Sequence, residues 1–388
     1  MSHSNVLIVG GGCAGIAVAS RIHSLKSDLN ISIIEPSEKS LYQAAWTLVG
    51  AGAYDVGDTI KPMSEVMPSY VKWIKEYAEE FMPDSNSVKT NNGTYTYDYL
   101  VVCPGLKLNF DGVTGLKESL GKNNVCTNYS AEMATYTWEC LKNLNSGTLL
   151  FTEPPMPIKC AGAPQKIAYL AADHLKKKGT LNESHLEFLC AKPVIFGVPH
   201  FQGPLNEICD SYGIKRSFQH NLISVDGNTK EAVFKQSDKD GNTKEITKKF
   251  DFIHVTPPQT SPDFIKNSPL ADSAGWVDVD HKVGTLRHTK FENVYSLGDV
   301  MNAPNAKTGA AVRKQAPIVA HNIIKDIKKT SESYRHYDGY GACPLTVAYG
   351  KVMLAEFCYA GKVTPSFPFD PTCLLYTSPS PRDLSTSR

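Results

Sequence analysis

The apolar residues change period several times along the chain, and each change predicts an element. "NVLIVGGGCAGIAVASRIHSL" opens with the unbroken apolar run Val6–Val9. A glycine turn follows, and then apolar positions at Ile16, Ala19 and Ile22–His23. That reads as a buried strand, a tight turn and a helix. "ISIIEP" is a second strand. "YDYLVVCPGL" (97–106) and "FENVYSLGDVMN" (291–302) are further strands ending in turns. "KTGAAVRKQAPIVAHNIIKDI" has Ala311, Ile318, Val319 and Ile323 at helical spacing. In the middle of the chain, "YSAEMATYTWECLKNL" predicts a helix carrying Met133, Tyr136, Trp138 and Leu141. The strand "GTLLFTEP" and the helix "APQKIAYLAADHLKKK" come next. Two segments read as hairpins. One is the charged stretch 237–251, turning at Asp240-Gly241; the other joins Leu345–Ala348 to Val352–Phe357 around Gly350.

The first turn carries chemistry. Gly10, Gly12 and Gly15 fit G-x-G-x-x-G between a strand and a helix. In that motif the first glycine permits the turn, the second lets the backbone approach a pyrophosphate, and the third lets helix and strand pack closely. The helix start supplies N–H donors and a partial positive charge. Glu35 ends the second strand, 20 residues after Gly15, where an acid holds ribose hydroxyls. Gly298-Asp299, at the end of a late strand, points to FAD rather than NAD: it would carry an aspartate to the ribityl and pyrophosphate region. Gly105 marks the turn where the chain leaves this domain. Lys314 and Gln315 are expected near the flavin, at the start of the helix beyond Asp299. The expected fold is α/β, with two Rossmann-like dinucleotide-binding domains of the glutathione-reductase-like flavoprotein kind. The predicted division is 1–108 for the FAD domain, 109–285 for the second domain, 286–330 for the return to the first, 331–373 for a C-terminal hairpin region, and 374–388 for a tail.

Bulk properties add exclusions. The 388 residues are enough for two packed domains, with 41% hydrophobic and 20% charged residues and a net charge of +1. Near-neutral charge gives no reason to expect nucleic acid as a partner. No apolar run is long enough for a spanning helix, and no secretory leader or transit peptide is visible. The 10 cysteines show no metal-binding spacing, and most are expected to be thiols of an intracellular protein.

The stretch "PPMPIKCAGAPQK" (154–166) stands where NADH-using flavoenzymes place a second glycine loop. Proline has no N–H to offer a phosphate. NAD(P)H is therefore not expected as the electron donor. Cys160 lies instead at a loop-to-helix junction, where a helix start favours the thiolate. Lys159 and Lys166 are close enough in sequence to assist.

"PIKCAGAPQK" together with "DGYGACPLTVAYGKVMLAEF" closely resembles sulfide:quinone oxidoreductases of the eukaryotic and related bacterial type. "LYQAAWTLVGAG" (41–52) is similar to a passage of the same family. The resemblance runs from about residue 5 to about residue 372. It implies that Cys160 and Cys343 meet beside FAD, joined directly or through an extra sulfur. Hydrogen sulfide would open this bridge, Cys343 would keep the sulfane sulfur, and Cys160 would leave as the thiolate. Electrons would pass through the flavin to a membrane quinone, and the persulfide to a small thiol or other acceptor. A family member would sit peripherally on the mitochondrial inner membrane through C-terminal helices. "LLYTSPSPRDLSTSR" (374–388) looks like adaptor read-through, so that anchoring segment is expected to be missing here. Three other readings remain at this stage: the flavin subunit of a sulfide dehydrogenase with a cytochrome acceptor, an NADH:quinone reductase, and a non-catalytic FAD-binding protein.

Overall fold

The computed structural model describes residues 2–376. The first pattern folds into β1 (Ser2–Val9), α1 (Cys13–Leu25) and β2 (Ile31–Ile34). Strands β3 (Val71–Ile74), β4 (Ala78–Met82), β5 (Ser87–Thr90) and β6 (Thr94–Val102) extend them into one sheet of order β3-β2-β1-β6-β5-β4. β1 is parallel to both β2 and β6. Parallel strands are covered on both faces, which explains the unbroken apolar run: Val6, Leu7 and Ile8 are fully buried. The buried stripe of α1 is Ala14, Gly15, Val18, Ala19 and Ile22. The expected Ile16 is only half-buried. Small residues face the sheet because Gly15 packs directly on the turn before it.

The second unit contains β7 (Val125–Cys126), α2 (Ala131–Asn143), β8 (Gly147–Glu153), α3 (Ala163–Lys178), β9 (Ser184–Cys190), α4 (Gln202–Tyr212) and β10 (Lys215–Phe218). An antiparallel meander follows: β11 (His220–Asp226), β12 (Glu231–Ser237) and β13 (Thr243–Lys249). Its outer pair is the charged hairpin expected over 237–251. With β14 (Phe252–His254), a five-stranded parallel sheet of order β7-β14-β8-β9-β10 is complete.

Two short extended pieces join the units: Gln259–Thr260 pairs antiparallel with Lys107–Leu108. The chain therefore returns to the first unit near residue 260, earlier than the expected 286. Ile265, Leu270, Val277 and Val279 already belong to the same buried cluster as Val6 and Leu100. The early return was hidden because these residues are spaced through turns, with no helical or strand period. The chain then forms β15 (Val294–Ser296), parallel to the end of β6, and the long helix α5 (Gly309–Lys328). The hairpin β16 (Gly341–Ala348) and β17 (Lys351–Phe357) comes last, and packs β16 against α3 and α5. Of the tail expected over 374–388, β18 (Leu375–Tyr376) pairs with β17, and 377–388 lie outside the described residues. Among the described residues no helix is long and apolar enough to cross a membrane.

Candidate active site

The glycine turn is shaped as its sequence requires. Gly10 has φ +108°, and a Cβ there would stand 2.5 Å from the carbonyl oxygen of Cys103. A Cβ at Gly15 would fall 1.9 Å from the carbonyl oxygen of Gly10. Both positions exclude any side chain. Gly12 is different: a Cβ there meets no protein atom within 4 Å, so the second glycine borders an open groove. Glu35 closes the groove, its two carboxylate oxygens accepting from the Gly11 and Ser37 amides at 2.8 Å each.

The return segment comes to the same groove. Gly298 adopts φ +80°, and its amide donates to Gln315 Oε1 at 2.9 Å. Gln315 is fully buried, yet its Nε2 has no partner. Burial raises the Asp299 carboxyl, while Lys307 and Lys159 pull it back. Gly309, the first residue of α5, has open space at its Cβ position, as does Gly105. The N-cap of α5 is Thr308, whose hydroxyl accepts from the Ala311 amide at 3.2 Å. An open glycine loop, a helix start and an unpartnered buried amide fit FAD.

Lys314 takes a different place. It lies in the second turn of α5, exposed, with its ammonium 5.1 Å from the centre of the Tyr340 ring. Gln315, its neighbour, points inward; helical geometry separates the two by about 100°. The buried lysine on this side is Lys307, 6% exposed, donating to the carbonyls of Asp299 (2.6 Å) and Met301 (3.0 Å). Burial pulls its pKa down to about 8. Sequence reading passed over it. Its only signal was a lysine alone in the small, uncharged stretch "APNAKTGAA".

The thiols are the centre of the site. Cys160 Sγ is 3.7 Å from Cys343 Sγ, across 183 residues of chain. Cys160 ends the loop from β8, two residues before the N-cap of α3, and has φ +50°. Its amide donates to the Lys307 carbonyl at 2.9 Å, and its carbonyl accepts from the Ala163 amide at 2.7 Å. Cys343 sits inside β16, opposite Ala355 of β17, rather than ahead of the strand as expected. β16 approaches the start of α3 so closely that Gly162 is obligatory. A Cβ there would stand 2.4 Å from both Cys343 Sγ and Leu345 Cδ2.

The two thiols are not equivalent. Lys166, from the first turn of α3, donates to Cys160 Sγ at 3.5 Å. Hydrogen bonding from Cys343 drives Cys160 well below the usual thiol range, against burial and with the help of Lys166. Cys343 moves well above that range, because it donates to Cys160 and is buried. Burial opposes the charge of Lys166, but the neighbouring Cys160 outweighs it and raises the lysine. The arrangement favours charge on Cys160, beside the Lys166 ammonium, and keeps the proton on Cys343.

Comparison with known proteins agrees in fold and family. Residues 4–135 match the model of the pyridine nucleotide-disulphide oxidoreductase family. The mitochondrial sulfide:quinone oxidoreductase of Mus musculus is 41% identical over 370 residues, 95% of this chain and 81% of that one. Its counterpart in Dictyostelium discoideum is 44% identical over 372 residues, covering 95% and 80%. This chain belongs to the sulfide:quinone oxidoreductase family. The solved sulfide:quinone oxidoreductase of Aquifex aeolicus shares the fold, with a TM-score of 0.79 at 24% identity, over 94% of this chain and 85% of that one. As in the sulfide:quinone oxidoreductase family generally, the cofactor is FAD. The groove lined by Gly12, Glu35 and Gln315 has the chemistry to receive it.

Proposed function

We propose that this chain is a mitochondrial sulfide:quinone oxidoreductase whose reactive pair is Cys160 and Cys343. The observation that carries the reading is the 3.7 Å separation of these two sulfurs, with Lys166 bonded to only one of them. In the oxidised state the pair is a disulfide, and hydrosulfide attacks Cys343 Sγ. The S–S bond breaks, the sulfane sulfur stays on Cys343 as a persulfide, and Cys160 leaves as the thiolate. The better leaving group is the thiol with the lower pKa. Lys166 holds the thiolate that forms. An acceptor thiolate, RS⁻, then takes the outer sulfur. Overall, HS⁻ and RS⁻ become RSSH and two electrons. The sink for those two electrons would be supplied by bound FAD, with the quinone as final acceptor taking up two protons. Gly10, Gly12, Gly15, Glu35, Gly105, Gly298, Asp299 and Gln315 would hold FAD. Lys314, turned to Tyr340, contributes at most long-range charge. The finer placing proposed is peripheral on the inner membrane, through a segment C-terminal to the hairpin; the lipid solubility of quinones supports contact with a membrane. A small thiol is the proposed acceptor.

Anaerobic titration with sulfide is the test. The oxidised flavin spectrum is expected to bleach, with a long-wavelength thiolate band, and decylubiquinone to restore it. Bleaching by NADH as fast as by sulfide would overturn the proposal.

A further inference from the structure

Lys166 is not the only lysine beside Cys160. Lys159 leads away from the other side of the cysteine. Its amide is pinned by Gln259 Oε1 at 2.7 Å, and the loop there bridges to Lys307 in parallel. Its ammonium lies between two aromatic faces, 5.9 Å from the Trp46 ring centre and 5.8 Å from that of Tyr129. The ammonium donates to Gln43 Oε1, a neutral amide. Two of these neighbours, Tyr129 and Gln259, are themselves buried with a polar atom unpartnered: Tyr129 Oη and Gln259 Nε2.

The three lysines around the thiol pair are engaged differently. Asp299 and Cys160 face Lys159, Cys160 and Cys343 face Lys166, and Asp299 and Asp272 face Lys307. Lys166 is engaged by the Cys160 sulfur, and Lys307 by two carbonyls near Asp299. Lys159 is the one of the three whose hydrogen-bond acceptor is a neutral side chain, the Gln43 amide. Every sulfur nucleophile this pair would meet is an anion. Bringing an anion into a buried site costs its hydration, and a fixed cation offsets that cost. Once the disulfide has opened, Lys166 is spent on the enzyme's own thiolate, so a second cation is needed for the acceptor anion that follows.

We propose that Lys159 is the specificity-determining cation of the site, recruiting anionic sulfur nucleophiles to the Cys160–Cys343 pair. The inference rests on the sulfide-oxidising reading above, but its test does not depend on sulfide. Iodoacetate and iodoacetamide are close in size and differ in charge. In the reduced protein, their rates at Cys160 are compared by peptide mass spectrometry, in wild type and in Lys159→Met, which keeps the stem between the two rings. The iodoacetate-to-iodoacetamide ratio should fall about tenfold in Lys159→Met, and Lys159→Arg should stay within about threefold of wild type. An unchanged ratio in Lys159→Met, or an arginine variant as impaired as the methionine one, overturns the proposal. If Lys159→Met does not fold, Lys159→Gln replaces it in the same comparison. In turnover, the KM for sulfide should rise about tenfold with kcat within about threefold, the signature of lost binding. A fall in kcat at constant KM overturns it as well. A wild-type protein that shows the alkylation preference but no bleaching by sulfide sinks the functional reading and leaves the cation site standing.

Discussion

The sharpest constraints lie on single residues. Gly162 has no space for even one methyl group beside Cys343 Sγ. Gly162→Ala must push β16 away or twist the cysteine loop. Overpacking of this kind costs about 1–3 kcal/mol, so a lowered Tm is expected together with slower closure of the thiol pair. Thermal unfolding and a timed thiol count check both effects. Cys160→Ser and Cys343→Ser should each lower sulfide-driven quinone reduction by at least about 1,000-fold. The double variant should be no worse than either single one, as the proposed two-sulfur unit requires. Lys166→Met removes the cation that helps hold the Cys160 thiolate. Thiolate is lost as pH falls through the folded-state pKa, so the alkylation profile of Cys160 should move to higher pH. A profile that stays in place would show that the hydrogen bond from Cys343 suffices alone.

At the scale of elements, helix starts decide what the site can bind. α5 begins beside the groove with Thr308 as its cap, and α3 begins beside Cys160. Thr308→Ala removes the side-chain acceptor for the Ala311 amide and should cost about 1 kcal/mol. Because α5 would border the cofactor, FAD retention should fall with it, which dialysis followed by flavin absorbance measures. The loop from β8 to α3 shows how an element can be repurposed. Its parallel sheet is that of a dinucleotide-binding unit, but three prolines precede Cys160 where amide donors would be needed. β16 then lays its own cysteine across the start of α3.

At the scale of the molecule, the second sheet carries a hidden acid sensitivity. His254 of β14 is 1% exposed, pairs in register with Cys126 and Phe151, and accepts the Asn128 amide on Nε2 at 3.0 Å. Burial lowers its pKa to about 3. The unfolded chain protonates this histidine near its ordinary value while the folded one does not. Stability is therefore complete above about pH 6.5 and is lost as pH falls toward 3, by up to about 1.4 kcal/mol per pH unit from this group. Chemical denaturation between pH 7 and 5 should show that slope, and His254→Gln should flatten it.

Much of this was legible in the chain because local period and local chemistry agree. The strand, glycine turn and helix at Val6–Ile22, the helices α3 and α5, and both hairpins follow from apolar spacing and turn residues. Their physics acts between near neighbours. Folding alone decided which side chains face one another. No spacing says that Ile265 and Val279 rejoin the first core, that Gln315 turns inward while Lys314 turns to Tyr340, or that Lys307 is buried beside Asp299. The resemblance of two cysteine motifs to a family implied that they meet. Their 3.7 Å separation, and the lysine that bonds to only one of them, are set by the packing of β16 on α3. Contacts across such distances in sequence arise from the closure of two sheets on one interface, which no local pattern encodes.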